Sequence, residues 1–150
     1  MMKKMIITLL LILTGLILTR CGMNIKKPSA DIQKAFTEQF TNATRVEWEK
    51  EGALYKAEFL HECHEAEAWY DKDASWLRTK IEMAWPELPE VVQATIRDNT
   101  NEYWETDDIS LYRQATGIPE YYYVELDREN SGNERQLRIR PDGTLITDLR

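Results

Sequence analysis

Residues 54–81 contain three short runs of alternating polar and apolar side chains, and these runs constrain the fold more than any other part of the chain. In the first run, Tyr55, Ala57 and Phe59 share one face of an extended strand. The second run alternates at Ala66, Ala68 and Tyr70, and the third reads Trp76-Leu77-x-Thr79-x-Ile81. Short polar segments such as Asp71-Lys72-Asp73-Ala74 separate the runs. Three strands joined by short turns predict an antiparallel meander.

The N-terminal residues have the pattern of an export signal. Lys3 and Lys4 are positive, and the apolar run at residues 5–18 is shorter than the roughly 20 residues that a membrane-spanning helix needs. Cys21 follows, as in the lipobox of a bacterial lipoprotein, where the cysteine thiol is acylated. We predict a signal segment at 1–20, lipidation at Cys21, a tether at 21–30 and a location in the cell envelope. Arg20 stands where a small residue is usual, so an uncleaved signal anchor is the alternative.

The charge of the chain limits the kinds of partner that it can bind. The 150 residues carry a formal net charge of −7, and removing the leader's Lys3, Lys4 and Arg20 leaves 16 basic and 26 acidic residues, a net charge of −10. A domain this acidic repels phosphate backbones. We therefore expect no nucleic-acid partner, and either a basic protein surface or no particular class of partner. The length is that of one domain.

The remaining elements predict an α+β fold. A first helix follows the N-cap residue Ser29 and has Ile32, Phe36 and Phe40 on one face, and the strand Val46-x-Trp48 comes next. A second helix begins at Pro89 and extends to about residue 104, with Val92, Ile96 and Tyr103 as its apolar face. Further strands are predicted at residues 109–111, 121–126, 137–139 and 145–146.

The two halves of the chain share this order of elements. Residues 73–77 align with residues 142–146 at an offset of 69 positions, which places Ala68 and Tyr70 on Leu137 and Ile139. One helix on a small sheet would expose much of its apolar face, whereas two copies can share a core. We therefore predict two tandem units, at 31–83 and 88–150, each with one helix packed on an antiparallel sheet of about three or four strands.

Several of these segments resemble one known family. They are Val46-x-Trp48, Tyr55-x-Ala57-x-Phe59, the turn Tyr70-x-x-Asp73, Trp76-Leu77-x-Thr79 and Leu88-Pro89-x-x-Val92. In this order they look like the PepSY-like family of small bacterial envelope proteins, which is similar to the beta-lactamase-inhibitor-protein fold. The resemblance covers residues 32–146 and implies two tandem units, export, and a binding or inhibitory role without catalytic residues. Ala74 departs from the family's Asp-Gly turn, which Asp142-Gly143 keeps, so we expect the first turn to be longer or differently wound.

Metal binding and catalysis find little support in the sequence. His61-Glu62-Cys63-His64 holds metal-binding residue types, but on a straight strand His61 and Cys63 share a face while His64 points away, and zinc needs about four ligands. On that register Cys63 lies beside Tyr55 and Phe59 as a partly buried thiol. Residues 71–75 begin like a calcium loop, yet Trp76 occupies the position of its glycine. We expect no metal, no cofactor and no enzymatic activity.

Aromatic side chains give the most informative functional pattern. Tyr121 and Tyr123 alternate with Tyr122, Val124 and Leu126, so they lie on the opposite face of their strand. By the same argument, if helices cover one sheet face, four aromatic residues lie on the open one: Trp69, Tyr112, Tyr121 and Tyr123.

Exposed tyrosine and tryptophan are enriched in binding hot spots, although such residues also pair across strands without any partner. The hypothesis is a non-enzymatic protein that binds another envelope protein through this face, in its sharper form as an inhibitor of a hydrolase or protease. The alternative is a module that binds a small molecule or a metal ion.

Overall fold

The computed structural model describes residues 27–115, 117–128 and 132–146. The predicted signal segment, Cys21, most of the tether and the last four residues of the second predicted unit lie outside the described residues. Within the described part of the chain, no helix combines the length and apolar character needed to cross a membrane.

The chain forms two helices and one antiparallel sheet. The helices are α1 (Ala30–Gln39) and α2 (Glu90–Asp98), with a single 3-10 turn at Trp85–Glu87 before α2. The strands are β1 (Thr44–Glu51), β2 (Leu54–His61), β3 (His64–Tyr70), β4 (Trp76–Glu82), β5 (Trp104–Gln114), β6 (Tyr121–Arg128) and β7 (Glu134–Ile139). All seven strands pair with their sequence neighbours in the order β1 to β7. The predicted α+β class and meander are confirmed, and the strands of both halves belong to one continuous sheet.

Helix α1 begins and packs as its sequence predicts. The Ser29 hydroxyl oxygen accepts a hydrogen bond from the backbone N–H of Ile32 at 3.3 Å, which satisfies one of the free donors of the first turn. Ile32 and Phe36 are buried, and Phe40 at the end of the helix is buried as well. The rings of Phe36 and Phe40 lie 4.9 and 4.7 Å from the ring of Phe59 on β2, so α1 packs on the first strands of the sheet.

Helix α2 ends earlier than predicted. Its last residue is Asp98, because the Asn99 side chain donates to the carbonyl of Thr95 at 2.9 Å and the Thr100 hydroxyl donates to that of Ile96 at 2.9 Å. The Thr100 bond occupies the Ile96 carbonyl, which a longer helix would pair with the Thr100 N–H, and that N–H donates to the Arg97 carbonyl instead. The assignment of Tyr103 to the helix face was therefore wrong, since Tyr103 is exposed in the turn that leads into β5.

Both helices cover the same face of the sheet. Val92 and Ile96 of α2 join Ile32 and Phe36 of α1 in one buried cluster with alternate strand residues. Those strand residues are Ala57, Phe59, Ala66, Ala68, Tyr70, Ile81, Ile109, Leu111, Tyr122, Val124, Leu126, Leu137 and Ile139. The intervening residues of each strand point to the other side, which we call the open face.

The hairpin between β2 and β3 corrects the prediction for Cys63. His61 pairs directly with His64, and the chain reverses through Glu62 and Cys63, whose φ angles are 51° and 72°. Two successive residues with positive φ form the tight turn that matches the twist of a hairpin. Cys63 is therefore exposed at the tip, not buried beside Phe59, and His61 and His64 are cross-strand neighbours on one face.

The turn after β3 has the same backbone arrangement as the turn after β7. In the first, the Asp71 N–H donates to the Ser75 carbonyl at 3.0 Å and Ala74 has φ 63°. In the second, the Arg140 N–H donates to the Thr144 carbonyl at 2.9 Å and Gly143 has φ 86°. The expectation of a different first turn was wrong. Asp71 Oδ1 accepts the N–H groups of Asp73 and Ser75, both at 2.9 Å, which holds Ala74 in the left-handed region.

The last predicted strand is only a fragment. Leu145 forms an isolated antiparallel bridge with Ile139, and the Ile146 N–H donates to the carbonyl of Arg138 at 2.7 Å. This short contact partly covers the outer edge of β7, whereas β1 forms the other edge of the sheet.

Candidate binding face

Three tyrosines form a cluster on the open face of β5 and β6. Tyr112 pairs across the strands with Tyr121, and Ser110 pairs with Tyr123. The Tyr112 and Tyr121 rings are stacked, with centroids 5.3 Å apart and planes within 5°, while the Tyr123 ring meets Tyr112 edge-on at 5.9 Å. All three residues are half-buried. We call Tyr112, Tyr121 and Tyr123 the tyrosine cluster.

The phenol groups of Tyr112 and Tyr123 stay protonated over the physiological range. Burial raises the pKa of Tyr112, and the nearby Lys80 charge opposes that shift only in part. Burial, together with a hydrogen bond to Glu125, raises the pKa of Tyr123 to about 12. Both phenols can therefore donate a hydrogen bond at neutral pH while their rings offer apolar area.

Trp69 shares the open face with the tyrosines but is not accessible in the way the sequence suggested. Its residue surface is only 5% exposed. The indole N–H donates to Glu51 Oε2 at 2.9 Å, and the Arg78 guanidinium lies over the ring at 4.3 Å from the centroid. The open-face position was predicted correctly. The expectation of exposure was wrong, because side chains of β1 and β4 cover the indole.

A buried lysine organises the carboxylates around Trp69. Lys56 Nζ lies 3.0 Å from Glu49, 2.9 Å from Glu51 and 2.8 Å from Glu58, and the lysine is only 9% exposed. Burial by itself lowers the pKa of Lys56, but the hydrogen bonds to Glu58, Glu51 and Glu49 outweigh it, so the net pKa is raised. The Trp69 hydrogen bond and the Lys56 charge hold the pKa of Glu51 below its usual value against the opposing effect of burial.

An open depression of about 290 Å³ lies beside these carboxylates on the same face. Glu58 stands directly opposite both Glu47 and Glu67 across the strands, an arrangement of like charges that destabilises a sheet. Burial, followed by the charges of Asp108 and Glu65, raises the pKa of Glu82 at its edge. The lining is therefore mainly acidic: Arg45, Glu47, Glu58, Phe59, Leu60, Glu65, Ala66, Glu67, Lys80 and Glu82.

The residues considered for metal binding have other contacts. His64 Nε2 lies 2.7 Å from Glu87 Oε1, and the ring of His61 meets that of Phe40 edge-on at 5.5 Å. Asp73 pairs with the Lys72 amine at 2.8 Å. In the part of the chain that the structure describes, no group of three or more His, Cys, Asp or Glu side chains is placed to hold a metal ion.

Two cations of the open face were not singled out by the sequence. Arg78 on β4 lies between Trp69 of β3 and Gln114 of β5, and Lys80 lies opposite Tyr112. Lys80 Nζ is 3.5 Å from Asp108. The alternation of the third run already pointed both residues away from Thr79 and Ile81, but only the strand order β3-β4-β5 places them between Trp69 and the tyrosine cluster.

Several solved structures are similar to this chain over most of its length. A BLIP-like protein from Bacteroides fragilis is 27% identical, with a TM-score of 0.73 over 80% of this chain and 84% of that one. A DUF2874 family protein from Bacteroides ovatus is 18% identical, with a TM-score of 0.74 over 80% and 85%. A candidate periplasmic protein from Bacteroides eggerthii is 16% identical, with a TM-score of 0.71 over 80% and 86%.

Neither a protein-family model nor a curated protein matches the chain. The structural similarities cover about four fifths of the chain and agree with the resemblance seen in the sequence motifs. BLIP-like denotes the beta-lactamase-inhibitor-protein-like arrangement that those motifs implied. The chain therefore has a BLIP-like fold, with its helices on one face of a seven-stranded antiparallel sheet and the other face left open.

Proposed function

We propose that this protein is a non-enzymatic binding protein of the cell envelope that engages another envelope protein through its open face. The observation that carries the proposal is the tyrosine cluster, which is stacked, half-exposed and placed on the side that the helices leave uncovered. Tyrosine offers a large rigid contact area at a low cost in side-chain entropy. The chain keeps three such rings together where they contribute little to the core.

Inhibition of a hydrolase or protease is the sharper form of this proposal. It is supported by the likeness to a protein described as BLIP-like, and a shared fold is weak evidence for a shared activity. A partner with a projecting loop would fit, because the open face carries an open depression of about 290 Å³. The metal alternative lacks a comparable supporting feature among the described residues.

Export and lipid anchoring through Cys21 belong to the same proposal. The basic and apolar residues before Cys21 support a signal segment, and one structural neighbour is described as a candidate periplasmic protein. An anchor at residue 21 would leave the few residues before α1 as a tether. The open face would then be presented to other proteins of the envelope.

We also infer that the fold arose from two tandem units at 31–83 and 88–150. The support is the pair of turns at residues 71–75 and 140–144, which share their hydrogen bonds and a left-handed residue at the same 69-residue offset. In this organisation β1–β4 come from the first unit and β5–β7 from the second. The open face would then combine a strongly charged unit with an aromatic one.

Affinity capture from envelope extract tests the binding proposal. The full chain in detergent serves as bait beside a Tyr121→Ala/Tyr123→Ala variant. A Tyr103→Ala variant is the matched control, because Tyr103 is an exposed tyrosine outside the open face. The captured protein is identified by mass spectrometry, purified, and titrated against all three baits by calorimetry.

We expect the double variant to lose at least about 30-fold in affinity, as hot-spot tyrosines do, and the Tyr103→Ala control to bind as the native chain does. Thermal unfolding of each variant shows whether the fold is retained. A captured partner that binds the folded double variant with unchanged affinity would refute the role of the open face.

A further inference from the structure

Arg78 differs from Lys56 and Lys80 on the open face, because no carboxylate among the described residues neutralises its charge through an ion pair. Lys56 is held by three carboxylates at 2.8 to 3.0 Å, and Lys80 lies 3.5 Å from Asp108. Arg78 has no ion pair within 4 Å of any carboxylate in the described ranges, and its guanidinium instead stacks on Trp69 at 4.3 Å. Five N–H donors in a planar fork are thus presented on an exposed side chain.

The carboxylate of Glu51, which senses the Arg78 charge, is engaged by other donors. Glu51 is close enough for the Arg78 charge to lower its pKa. However, Glu51 Oε2 already accepts from the Trp69 indole at 2.9 Å, and Glu51 Oε1 is bound by Lys56 at 2.9 Å. Each oxygen of that carboxylate already has one such contact, and among the described residues no carboxylate forms an ion pair with Arg78, so the guanidinium retains donors for a group from outside.

The surroundings of Arg78 restrict its motion. The indole beneath it is buried and fixed by its own hydrogen bond, so the guanidinium rests on a rigid support. A cation stacked on tryptophan is attracted to the ring face, and an arginine held in this way loses less entropy when it binds. Arg78 is therefore arranged in advance for a planar anion.

The position of Arg78 also connects it with the tyrosine cluster. Gln114 lies directly opposite Arg78 on β5, and Tyr112 is two residues before Gln114 on the same strand. Residues on such a diagonal are about 7–8 Å apart, within reach of long side chains. Tyr112, Tyr121 and Arg78 thus form one contiguous surface of the residue types that dominate binding hot spots.

We propose that Arg78 binds a side-chain carboxylate, from Asp or Glu, on a loop of the protein partner, while Tyr112 and Tyr121 contact the apolar residues beside it. The inference rests on the proposed function and specifies the chemistry of the partner. The net charge of the chain is negative, so a strongly acidic partner would be repelled at long range. The carboxylate is therefore a single local group that sets specificity, not part of an acidic surface.

Selection of loop peptides tests the inference without knowledge of the natural partner. The probe is a phage-displayed library of randomised, disulfide-closed loops, selected against the full chain in detergent. Selected loops are then measured against three variants: Tyr121→Ala/Tyr123→Ala, Arg78→Gln and Arg78→Lys. Each loop is also made with its acidic residue changed to the matching amide.

We expect loops that require the tyrosines to be enriched in Asp or Glu at one position. Arg78→Gln should weaken them about 10- to 100-fold, the range of a charge-assisted bidentate contact, and Arg78→Lys should weaken them less. The loop with the amide should bind the native chain about as weakly as the acidic loop binds the Arg78→Gln variant. The amide loop should bind Arg78→Gln with little further loss of affinity, because both changes remove the same contact.

Other outcomes separate this inference from the proposed function. Loops that need the tyrosines but bind Arg78→Gln as well as the native chain would overturn the inference and leave the proposed function standing. Recovery of no loop that depends on the tyrosines would overturn both. Because Arg78→Gln could disturb Trp69, an Arg78→Glu variant is paired with loops whose acid is changed to lysine. The lysine loop should bind Arg78→Glu more tightly than the acidic loop binds Arg78→Glu. If it does not, that result would also count against the inference.

Discussion

The aromatic side chains at the two ends of the open face differ in how far they are exposed and in what they contact. On β1–β4, Trp69 is covered by Arg78, bonded to Glu51 and surrounded by carboxylates that Lys56 gathers. On β5 and β6, the rings of Tyr112, Tyr121 and Tyr123 contact mainly one another and remain half-exposed. Trp69 and the tyrosine cluster reach the open face through the same alternation along their strands. Side chains on the neighbouring strands therefore decide which of these aromatic residues is covered and which stays accessible.

This difference indicates a division of tasks across one sheet. The charged end contributes stability, because its indole and its lysine are desolvated and fully bonded. The tyrosine end retains surface that a partner could bury. Substitutions at the first end should therefore change the free energy of unfolding, and substitutions at the second should change binding.

Replacing Trp69 should produce the largest loss of stability on the open face. Trp69→Ala removes a buried ring and leaves the Glu51 carboxylate without its indole donor, so we expect a loss of about 3–5 kcal/mol. Tyr121→Ala removes one half-exposed stacked ring and should cost about 1 kcal/mol or less. Urea unfolding followed by circular dichroism measures both values. Equal losses of unfolding free energy in the two variants would contradict the proposed difference between the charged end and the tyrosine end.

The paired turns should respond to substitution in opposite directions. Gly143 has φ 86°, and a Cβ atom there would lie 3.1 Å from the Val91 carbonyl oxygen and 3.3 Å from Thr95 Oγ1, so Gly143→Ala should cost about 1–3 kcal/mol. Ala74 already occupies the left-handed region at φ 63°, so Ala74→Gly should gain less than about 1 kcal/mol once the added freedom of the unfolded chain is counted. Thermal unfolding of both variants provides the measurement. A loss of stability in Ala74→Gly would show that the alanine is not strained.

Lys56→Met should remove part of the pH dependence of stability. The pKa of Glu51 is lowered in the folded protein, so its contribution is present above the ordinary glutamate pKa and is lost as the pH falls through the depressed folded value. Without the Lys56 charge this contribution shrinks. Since the three carboxylates are partly exposed, we expect a loss of about 1–2 kcal/mol at neutral pH that diminishes on acidification. Urea midpoints between pH 3 and 7 measure it, and parallel curves for both proteins would contradict the assignment.

The smallest effect is expected at the contact between His64, beside the β2–β3 hairpin turn, and Glu87. The hydrogen bond to Glu87 raises the pKa of His64 more than burial lowers it, so the stabilising contribution is complete below pH 6.5 and is lost as the pH rises through the folded value. NMR titration should give His64 a pKa above 6.5 in the native chain and a lower one in Glu87→Gln. An unchanged His64 titration in that variant would show that the 2.7 Å contact does not form in solution.

Much of the fold was predictable from short-range patterns. The alternation at residues 54–81, the Ser29 cap and the spacing of Ile32 and Phe36 each identified an element that the structure contains. The end of α2 was missed, because the side-chain bonds of Asn99 and Thr100 compete with a helical pattern that continues beyond them. The turn at Glu62 and Cys63 was missed because neither residue is a usual left-handed turn residue.

The candidate site was only partly predictable for a related reason. Periodicity assigned Trp69, Tyr112, Tyr121 and Tyr123 to one face, and the strand register places all four there. The exposure of each side chain depends on the side chains that lie around it on neighbouring strands. Glu51 and Arg78 reach Trp69 from β1 and β4, and no pattern within β3 contains that information.

The sequence by itself determined the α+β class, the meander of the first strands, the acidic charge and the division of the aromatic residues between two faces, because these depend on local periodicity and composition. The tertiary structure alone decided that both halves form one sheet, that Trp69 is covered, and that Arg78 lies next to the tyrosine cluster. These features require side chains from different strands to meet, and strand order and register bring them together only once the sheet has formed.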